Sequence, residues 1–258
     1  MHTLDEIISI SRKLCLEGGK IAMHHYGNLE KIMTKADNSP LTAADLAVDE
    51  IIVNGLNKAF PEIPIITEER AANHTVSHST GRFFLIDPID GTKEFINKSN
   101  EFTINIALIE DGTPVAGMVY APALKRLFWG AKNLGAFEEN SEGSADAISV
   151  RDTNSDALIV VASRSHLNAE TEAFIEKNKV VSVKNAGSSL KFCLIAAGEA
   201  DIYPRFGPTM EWDIAAGHAV LAAAGGVVHT IDGDPISYGQ KHYKSPFFIA
   251  RTASAKYF

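Results

Sequence analysis

Phe83-Phe84-Leu85-Ile86-Asp87-Pro88-Ile89-Asp90-Gly91-Thr92 changes character half-way along. The apolar run Phe83 to Ile86 reads as a buried strand, and Asp-Pro followed by Asp-Gly is a strong chain-breaking signal at its end. Pro88 fixes φ and removes one N–H, while Gly91 accepts backbone conformations that strain other residues. Asp87 and Asp90 can then converge at the rim of a sheet. Two carboxylates that close repel unless a cation lies between them, and oxygen-only ligands select a hard ion such as Mg²⁺. Taken alone, Asp87 to Thr92 fits a solvated surface turn equally well, because Asp, Pro and Gly are the common turn residues.

Two further acidic stretches weigh against that plain turn. Ile65-Ile66-Thr67-Glu68-Glu69 is a short apolar segment ending in paired glutamates. Trp212-Asp213 precedes Ile214-Ala215-Ala216-Gly217-His218-Ala219-Val220-Leu221-Ala222-Ala223-Ala224, which reads as a small-residue helix stopped by Gly225-Gly226. Small side chains let such a helix pack closely, and its N-terminus carries the free N–H groups and partial positive charge that suit a phosphate. Singly, Glu68 reads as a strand-end carboxylate and Asp213 as a helix cap. Their joint appearance with the Asp87–Thr92 stretch is the informative fact.

Outward from these stretches the pattern alternates. Leu4, Ile7, Ile8, Leu14, Ile21 and Ala22 recur at helical spacing to about residue 25, and Lys31 to Pro40 reads as a polar, mobile connection. Leu41 to Asp45 opens a second helix that stops before Pro61. Short strands are expected at Ile63–Thr67, Phe83–Ile86, Thr103–Glu110, Pro114–Tyr120, Leu127–Ala131 and Gly135–Glu138, close enough in sequence for an antiparallel meander. Glu139 to Ser144 reads as a polar surface loop. Strands at Leu158–Ala162, Val180–Val183 and Asp201–Tyr203 then alternate with helices at Ala169–Lys177 and Ser188–Ala200. After the Trp212 helix, strands Val227–Ile231 and Phe247–Ala250 close the chain. Periodicity thus supports α/β or α+β, a single unit over 1–258 with two lobes at about 1–140 and 150–258 and a site where they meet.

The chain has 258 residues, 45% of them hydrophobic, and a net charge of −8. No basic block suggests a nucleic-acid polymer as partner. Cys15 and Cys193 lie in apolar helical patterns without a CxxC partner, as buried free thiols in a reducing cytoplasm would. Met1 to Leu16 carries Asp5, Glu6, Arg12 and Lys13, which excludes a secretory apolar core, and no run reaches membrane-spanning length. His24, His25, His218, His229 and His242 lack zinc-ligand spacing. His218 reads as a satisfied helix histidine, and Trp212 as a core residue or a wall of the site.

The order Asp45, Glu68-Glu69, Asp87-Pro-Ile-Asp-Gly-Thr92, Trp212-Asp213-Ile-Ala-Ala-Gly217 resembles the signature of the inositol monophosphatase-like, lithium-sensitive phosphatases. Within that family, Lys35-Ala-Asp-Asn-Ser-Pro40, Asp90-Gly-Thr-Lys-Glu-Phe95, Ser163-Arg-Ser-His166, Gly187-Ser-Ser-Leu-Lys-Phe192 and Tyr203-Pro-Arg-Phe-Gly-Pro-Thr209 are similar to the CysQ-type 3′(2′),5′-bisphosphate nucleotidases. The resemblance implies a layered sandwich of alternating helix and sheet layers. It also implies conversion of adenosine 3′,5′-bisphosphate, and of 3′-phosphoadenylyl sulfate, to products lacking the 3′-phosphate, in sulfur metabolism. A cytoplasmic location follows from it, at most peripheral on the inner membrane, as monomer or homodimer.

By the same resemblance, Glu68, Asp87 and the Ile89 carbonyl hold one Mg²⁺, Asp87, Asp90 and Asp213 a second, and a third lies between Glu68 and substrate. Thr92 and Asp45 orient and deprotonate the attacking water, with Glu68 as the third catalytic residue. Gly91 and Thr92 N–H groups contact the transferred phosphate. Ser188, Lys191 and Arg205 bind the 5′-phosphate, the arginine by its bidentate fork and the lysine as a point charge. Arg164 and His166 flank the adenosine, and Glu69 has a structural or supporting role. Two other readings remain open: a phosphatase of this fold acting on inositol monophosphate or fructose 1,6-bisphosphate, and a non-catalytic metal or nucleotide binder.

Overall fold

The computed structural model describes residues 2–27, 32–34, 40–73, 81–140, 142–153, 156–163 and 168–257. Helix α1 (Leu4–Gly27) buries Ile7, Ile8, Leu14, Cys15 and Ala22 along one stripe, as their spacing predicts. Strands β1 (Ile32–Thr34) and β2 (Pro40–Thr42) then form an antiparallel ladder in which Met33 pairs with Leu41. This corrects the expected polar connection over Lys31 to Pro40 at Ile32–Thr34 and Pro40, which belong to strands; Lys31 and 35–39 lie outside the described residues. Thr42 is the N-cap of α2 (Ala43–Ala59), its hydroxyl accepting from Ala44 N–H while the Asp45 carboxylate takes Thr42 N–H. That reciprocal capping box starts the helix one residue after the strand ends.

Strand β3 (Ile65–Thr67) leads into a single 3₁₀ stretch, Glu68–Asn73, and pairs in parallel with β4 (Arg82–Asp90). The antiparallel meander expected from sequence spacing therefore begins only at β4, because β3 and β4 run in the same direction. From β4 the order is antiparallel throughout: the short helix α3 (Thr92–Ile96), then β5 (Thr103–Glu110), β6 (Thr113–Ala121), β7 (Arg126–Ala131), β8 (Gly135–Glu139) and β9 (Ala145–Ile148). β9 was not expected. It closes a hairpin on β8 in which Glu139, read as a loop residue, is buried and paired with Arg12 at 2.6 Å.

Strand β4 runs on past Ile86 through the chain-breaking motif. Asp87 pairs with Asn105 and Asp90 with Thr103, so β4 carries one extra residue there, a bulge that accommodates Pro88. Residues three apart in a regular strand face opposite sides. The bulge restores Asp87 and Asp90 to one side.

The second half builds a mixed sheet in the order β11-β10-β12-β14-β13. Its elements are β10 (Leu158–Ala162), α4 (Ala169–Lys177), β11 (Val180–Asn185), α5 (Leu190–Ala196), β12 (Ile202–Arg205), α6 (Glu211–Ala223), β13 (Gly226–Thr230) and β14 (Phe248–Thr252). Helix α5 is shorter than the expected Ser188–Ala200. Ser188 has φ +52° and Gly198 φ +71°, and neither conformation continues a right-handed helix.

Alternation along β4 sorts the layers. Phe84 and Ile86 join α1 and α2 in one core, whereas Phe83 and Leu85 join α5, α6 and the inner face of the second sheet in another. Val160, Ile202 and Ile249 on the outer face of that sheet pack on Phe174 of α4. The stack is helices, seven-stranded sheet, helices, five-stranded sheet, helix. The central helix fits because glycine faces it: a Cβ at Gly117 would lie 2.3 Å from the Ala216 carbonyl oxygen, and one at Gly130 3.0 Å from the Val220 Cα. This close approach brings the first turn of α6, with Asp213, to the C-terminal end of β4.

Candidate active site

A cleft of about 290 Å³ opens where β4, the 3₁₀ stretch, α5, β12 and α6 meet. Glu68, Asp87, Ile89, Asp90, Gly91, Thr92, Ser188, Lys191, Arg205 and Asp213 all line it. Asp45 stands behind Thr92, and Glu69 does not reach the cleft. Arg164 and His166 fall outside the described residues, as does 35–39 of the Lys35–Pro40 segment.

The acidic side is built from segments far apart in sequence. Glu68, Asp87 and Asp213 offer carboxylate oxygens within 4.8 Å of one another. Glu68 is carried by the 3₁₀ turn, which Arg70 ties to α2 through a 2.6 Å ion pair with the buried Asp49. Asp213 Oδ2 accepts from Met210 N–H at 2.9 Å and the Thr209 hydroxyl at 2.7 Å. Asp87 Oδ1 accepts from Ile89 N–H at 3.1 Å. Asp90 is not one of this trio but lines the same cleft, and its Oδ2 takes Ser189 N–H at 2.6 Å and the Asn105 amide at 3.5 Å. Burial, and after it the charge of Asp213, push Asp90 up to about 7. Burial and Glu68 push Asp213 up to about 6.

Thr92 is the first residue of α3, and its hydroxyl lies 3.3 Å from both Asp45 Oδ1 and the Ile89 carbonyl oxygen. Asp45 Oδ2 is taken by the N–H and hydroxyl of Thr42, at 2.8 and 2.5 Å, so the capping box leaves Oδ1 for Thr92. Gly91, with φ +87°, makes the turn between Asp90 and Thr92. A Cβ there would lie 2.3 Å from Ser188 Oγ.

The cationic side holds Lys191 and Arg205. Lys191 is only 4% exposed, donates to the Ser188 carbonyl at 2.7 Å and the Ala186 carbonyl at 3.3 Å, and lies 5.1 Å from the centre of the Tyr203 ring. Burial brings its ammonium down to about 8, although Asp90 acts in the opposite sense. An ammonium has three N–H donors, so two carbonyls leave one for a ligand. Arg205 donates to the Pro208 carbonyl at 2.9 Å, and its Nε is buried without a hydrogen-bond partner. Ser188 Oγ is engaged with the carbonyls of Asp90 and Glu101, at 2.8 and 2.9 Å.

Residues 3–253 match the inositol monophosphatase family. A Shigella flexneri protein named 3′(2′),5′-bisphosphate nucleotidase CysQ is 44% identical over 91% of this chain and 93% of its own. The crystal structure of CysQ from Bacteroides thetaiotaomicron superposes with a TM-score of 0.81 at 36% identity, covering 96% of this chain and 97% of that one. An inositol monophosphatase from Thermotoga maritima follows at 0.79 and 28% identity, over 96% and 92%. The chain belongs to the inositol monophosphatase family.

Inositol monophosphatase family members are metal-dependent phosphatases, and this donor set fits that description. The trio is all carboxylate, the chemistry that selects hard cations over zinc or copper. Burial first, and after it the charge of a neighbouring carboxylate, hold Asp90 and Asp213 above the usual carboxylate range, and a bound cation relieves the second of these. Among the described residues no helix is long and apolar enough to cross a membrane. Cys15 and Cys193 are buried and free, as their apolar neighbours led one to expect.

Other lining residues of this family member were not singled out as site residues. Phe192, Tyr203 and Ser163 lie in the cleft wall, and Thr209 lines it while holding Asp213. All occur in the segments that carried the resemblance, but nothing local separates them from core or loop residues. Trp212 is a core residue against Tyr243, and His218 bonds the Tyr238 hydroxyl at 2.8 Å, both as read from sequence.

Proposed function

We propose that this chain removes the 3′-phosphate of adenosine 3′,5′-bisphosphate, giving AMP and phosphate, with Mg²⁺ held by Glu68, Asp87, the Ile89 carbonyl, Asp90 and Asp213. The observation that carries the reading is one cleft lined both by a carboxylate trio and by the cations Lys191 and Arg205, besides the exposed Lys93. A single small phosphomonoester needs only the carboxylates and their metal. A nucleotide with a second phosphate also needs an anchor, and the spare donors of Lys191 and Arg205 supply one. The relatives named CysQ point to the same substrate.

Phosphomonoester hydrolysis is among the slowest uncatalysed reactions in water. Bound Mg²⁺ supplies charge neutralisation, a more acidic water and stabilisation of the departing alkoxide. The chain's own residues do the rest. Asp45, with Oδ2 held by Thr42, presents Oδ1 to the Thr92 hydroxyl and makes it a better proton acceptor towards the attacking water. Gly91 opens the turn so that the phosphate can approach the backbone N–H groups of Gly91 and Thr92. Arg205 and Lys191 hold the 5′-phosphate, fixing the 3′-phosphate at the carboxylate end.

Phosphate release with Mg²⁺ from adenosine 3′,5′-bisphosphate, 3′-phosphoadenylyl sulfate, inositol 1-phosphate and fructose 1,6-bisphosphate tests this directly. The bisphosphate nucleotide is expected to give the highest kcat/KM. Preference for inositol 1-phosphate would leave the phosphatase and remove the nucleotidase. Release from none of them would remove catalysis itself.

A further inference from the structure

Behind the cleft lies a chain of hydroxyl and amide groups that is not itself part of the lining but reaches one lining residue, Asp90. Thr103 and Asn105 on β5 and Ser189 just before α5 are each no more than 1% exposed, and none lines the cleft. Ser189 Oγ donates to Asn105 Oδ1 at 2.6 Å and lies 3.0 Å from Thr103 Oγ1. With its oxygen thus occupied, the Asn105 amide turns its nitrogen to Asp90 Oδ2 at 3.5 Å. The shortest contact to that oxygen is Ser189's own backbone N–H, at 2.6 Å. Ser189 therefore acts twice, once through its backbone on Asp90 and once through its hydroxyl on the residues that keep that backbone in place.

The surroundings show how closely this junction is fitted. Ser188 holds φ +52°, and its hydroxyl reaches the Asp90 and Glu101 carbonyls. A Cβ at Gly187 would stand 2.6 Å from the Glu101 carbonyl oxygen. Both donors to Asp90 converge on Oδ2, and no donor among the described residues reaches Oδ1. A carboxylate tied by one oxygen presents the other in a single direction, which is what a metal ligand requires of its supports.

We propose that Ser189, tethered to Asn105 and Thr103, is a positioning residue that fixes the Asp90 carboxylate for a divalent cation, so that cation affinity depends on a contact between the first sheet and the start of α5. The inference rests on Asp90 being a cation ligand. The hydroxyl is the working part: without it Ser189 N–H is free to drift from Oδ2, Asp90 samples other rotamers, and binding must restore the productive one.

The test uses the full chain without substrate, with Mn²⁺ as the probe and binding followed by electron paramagnetic resonance. Ser189→Ala is expected to weaken Mn²⁺ binding by ~10-fold, the low end of what losing a ligand's supporting partner costs. Thr103→Val, nearly isosteric and one step further from Asp90, is expected to weaken it by about threefold on the same basis. Asp90→Asn is measured alongside. Unchanged affinity in Ser189→Ala, with Asp90→Asn weakened, overturns the tether and leaves Asp90 as a ligand. Unchanged affinity in both removes the ligand assignment, and the tether falls with it. If Ser189→Ala loses its helical circular dichroism, Thr103→Val decides: weaker Mn²⁺ binding with an intact fold supports the tether, and unaltered binding overturns it.

Discussion

The two sides of the cleft are stabilised in opposite ways. On the acidic side, Asp87, Asp90 and Asp213 each spend one oxygen on a backbone N–H, at 3.1, 2.6 and 2.9 Å, and Asp213 leaves an oxygen for the trio with Glu68 and Asp87. The carboxylates are well oriented but crowded by like charge. On the cationic side, Lys191 and Arg205 rest on the carbonyls of Ala186, Ser188 and Pro208, and Lys191 also faces the Tyr203 ring. Those cations rest on carbonyl oxygens within the fold, whereas at Asp90 and Asp213 the like charge of a neighbouring carboxylate outweighs the relief that Lys191 and Arg205 give. A cluster that the fold strains to keep together marks the place where something of opposite charge binds, whereas a supported cation with spare donors marks an adjustable anchor.

The strongest way to break this contrast is Asp90→Asn, which keeps shape and removes one negative charge. Activity at saturating Mg²⁺ is expected to fall ~1000-fold, the scale of a group acting on charge at the reacting centre. The metal-free melting temperature is expected to hold or rise, since like-charge crowding is relieved. Near-normal turnover would show that the carboxylate is not part of the machinery.

The cationic side should respond selectively. Arg205→Ala is expected to lower kcat/KM towards adenosine 3′,5′-bisphosphate by about 2–3 kcal/mol, the value of charge-assisted hydrogen bonds. Hydrolysis of 3′-AMP, which lacks the 5′-phosphate, should stay nearly constant. Equal loss on both substrates would mean that Arg205 supports the fold rather than the anchor.

Gly91 sits where the sides touch. Its φ of +87° and the 2.3 Å approach of a Cβ to Ser188 Oγ predict that Gly91→Ala costs about 1–2 kcal/mol in urea unfolding, the range for a strained backbone residue. Activity should fall with it, because Ser188 and Asp90 must part. An unaltered unfolding midpoint would show that the junction yields without cost.

His218 tests the frame alone, since it shares α6 with Asp213 but does not line the cleft. Burial first, then the neighbouring His229, bring it down to about 4. The unfolded chain therefore takes up this proton before the folded one. The contribution is whole above about pH 6.5 and is lost as pH falls towards 4, with about 1 kcal/mol gone between pH 7 and 5.5. His218→Gln should flatten that part of the stability curve relative to the parent. Parallel curves would show that the ring titrates normally.

Much of this was legible before any coordinates. The apolar run Phe83 to Ile86 announces a buried strand, and the small residues after Trp212 announce a closely docked helix. Strand β9, the β1–β2 ladder and the parallel pairing of β3 were not legible. Each depends on what a short segment finds beside it, and a few residues of sequence carry too little preference to decide that. The cations show the same limit. Lys191 in an apolar helix and Arg205 after a strand look like ordinary surface charges until burial is known, and their assignment rested on resemblance alone.

The amino-acid sequence by itself determined the residue types at the carboxylate end of the cleft, the break after Ile86, and the helical and strand periods that order the layers. These follow from neighbours within a few positions, where sterics, capping and hydrophobic spacing act directly. Only the tertiary structure decided that Asp87 and Asp90 share a side through a one-residue bulge, and that Asp213 reaches Glu68 and Asp87 because Gly117 and Gly130 admit α6. It also decided that Ser189, far along the chain, holds the Asp90 oxygen at 2.6 Å. Which oxygen of each carboxylate is tied and which is left to bind depends on sheet register and helix docking across long stretches of chain, and no local pattern encodes that geometry.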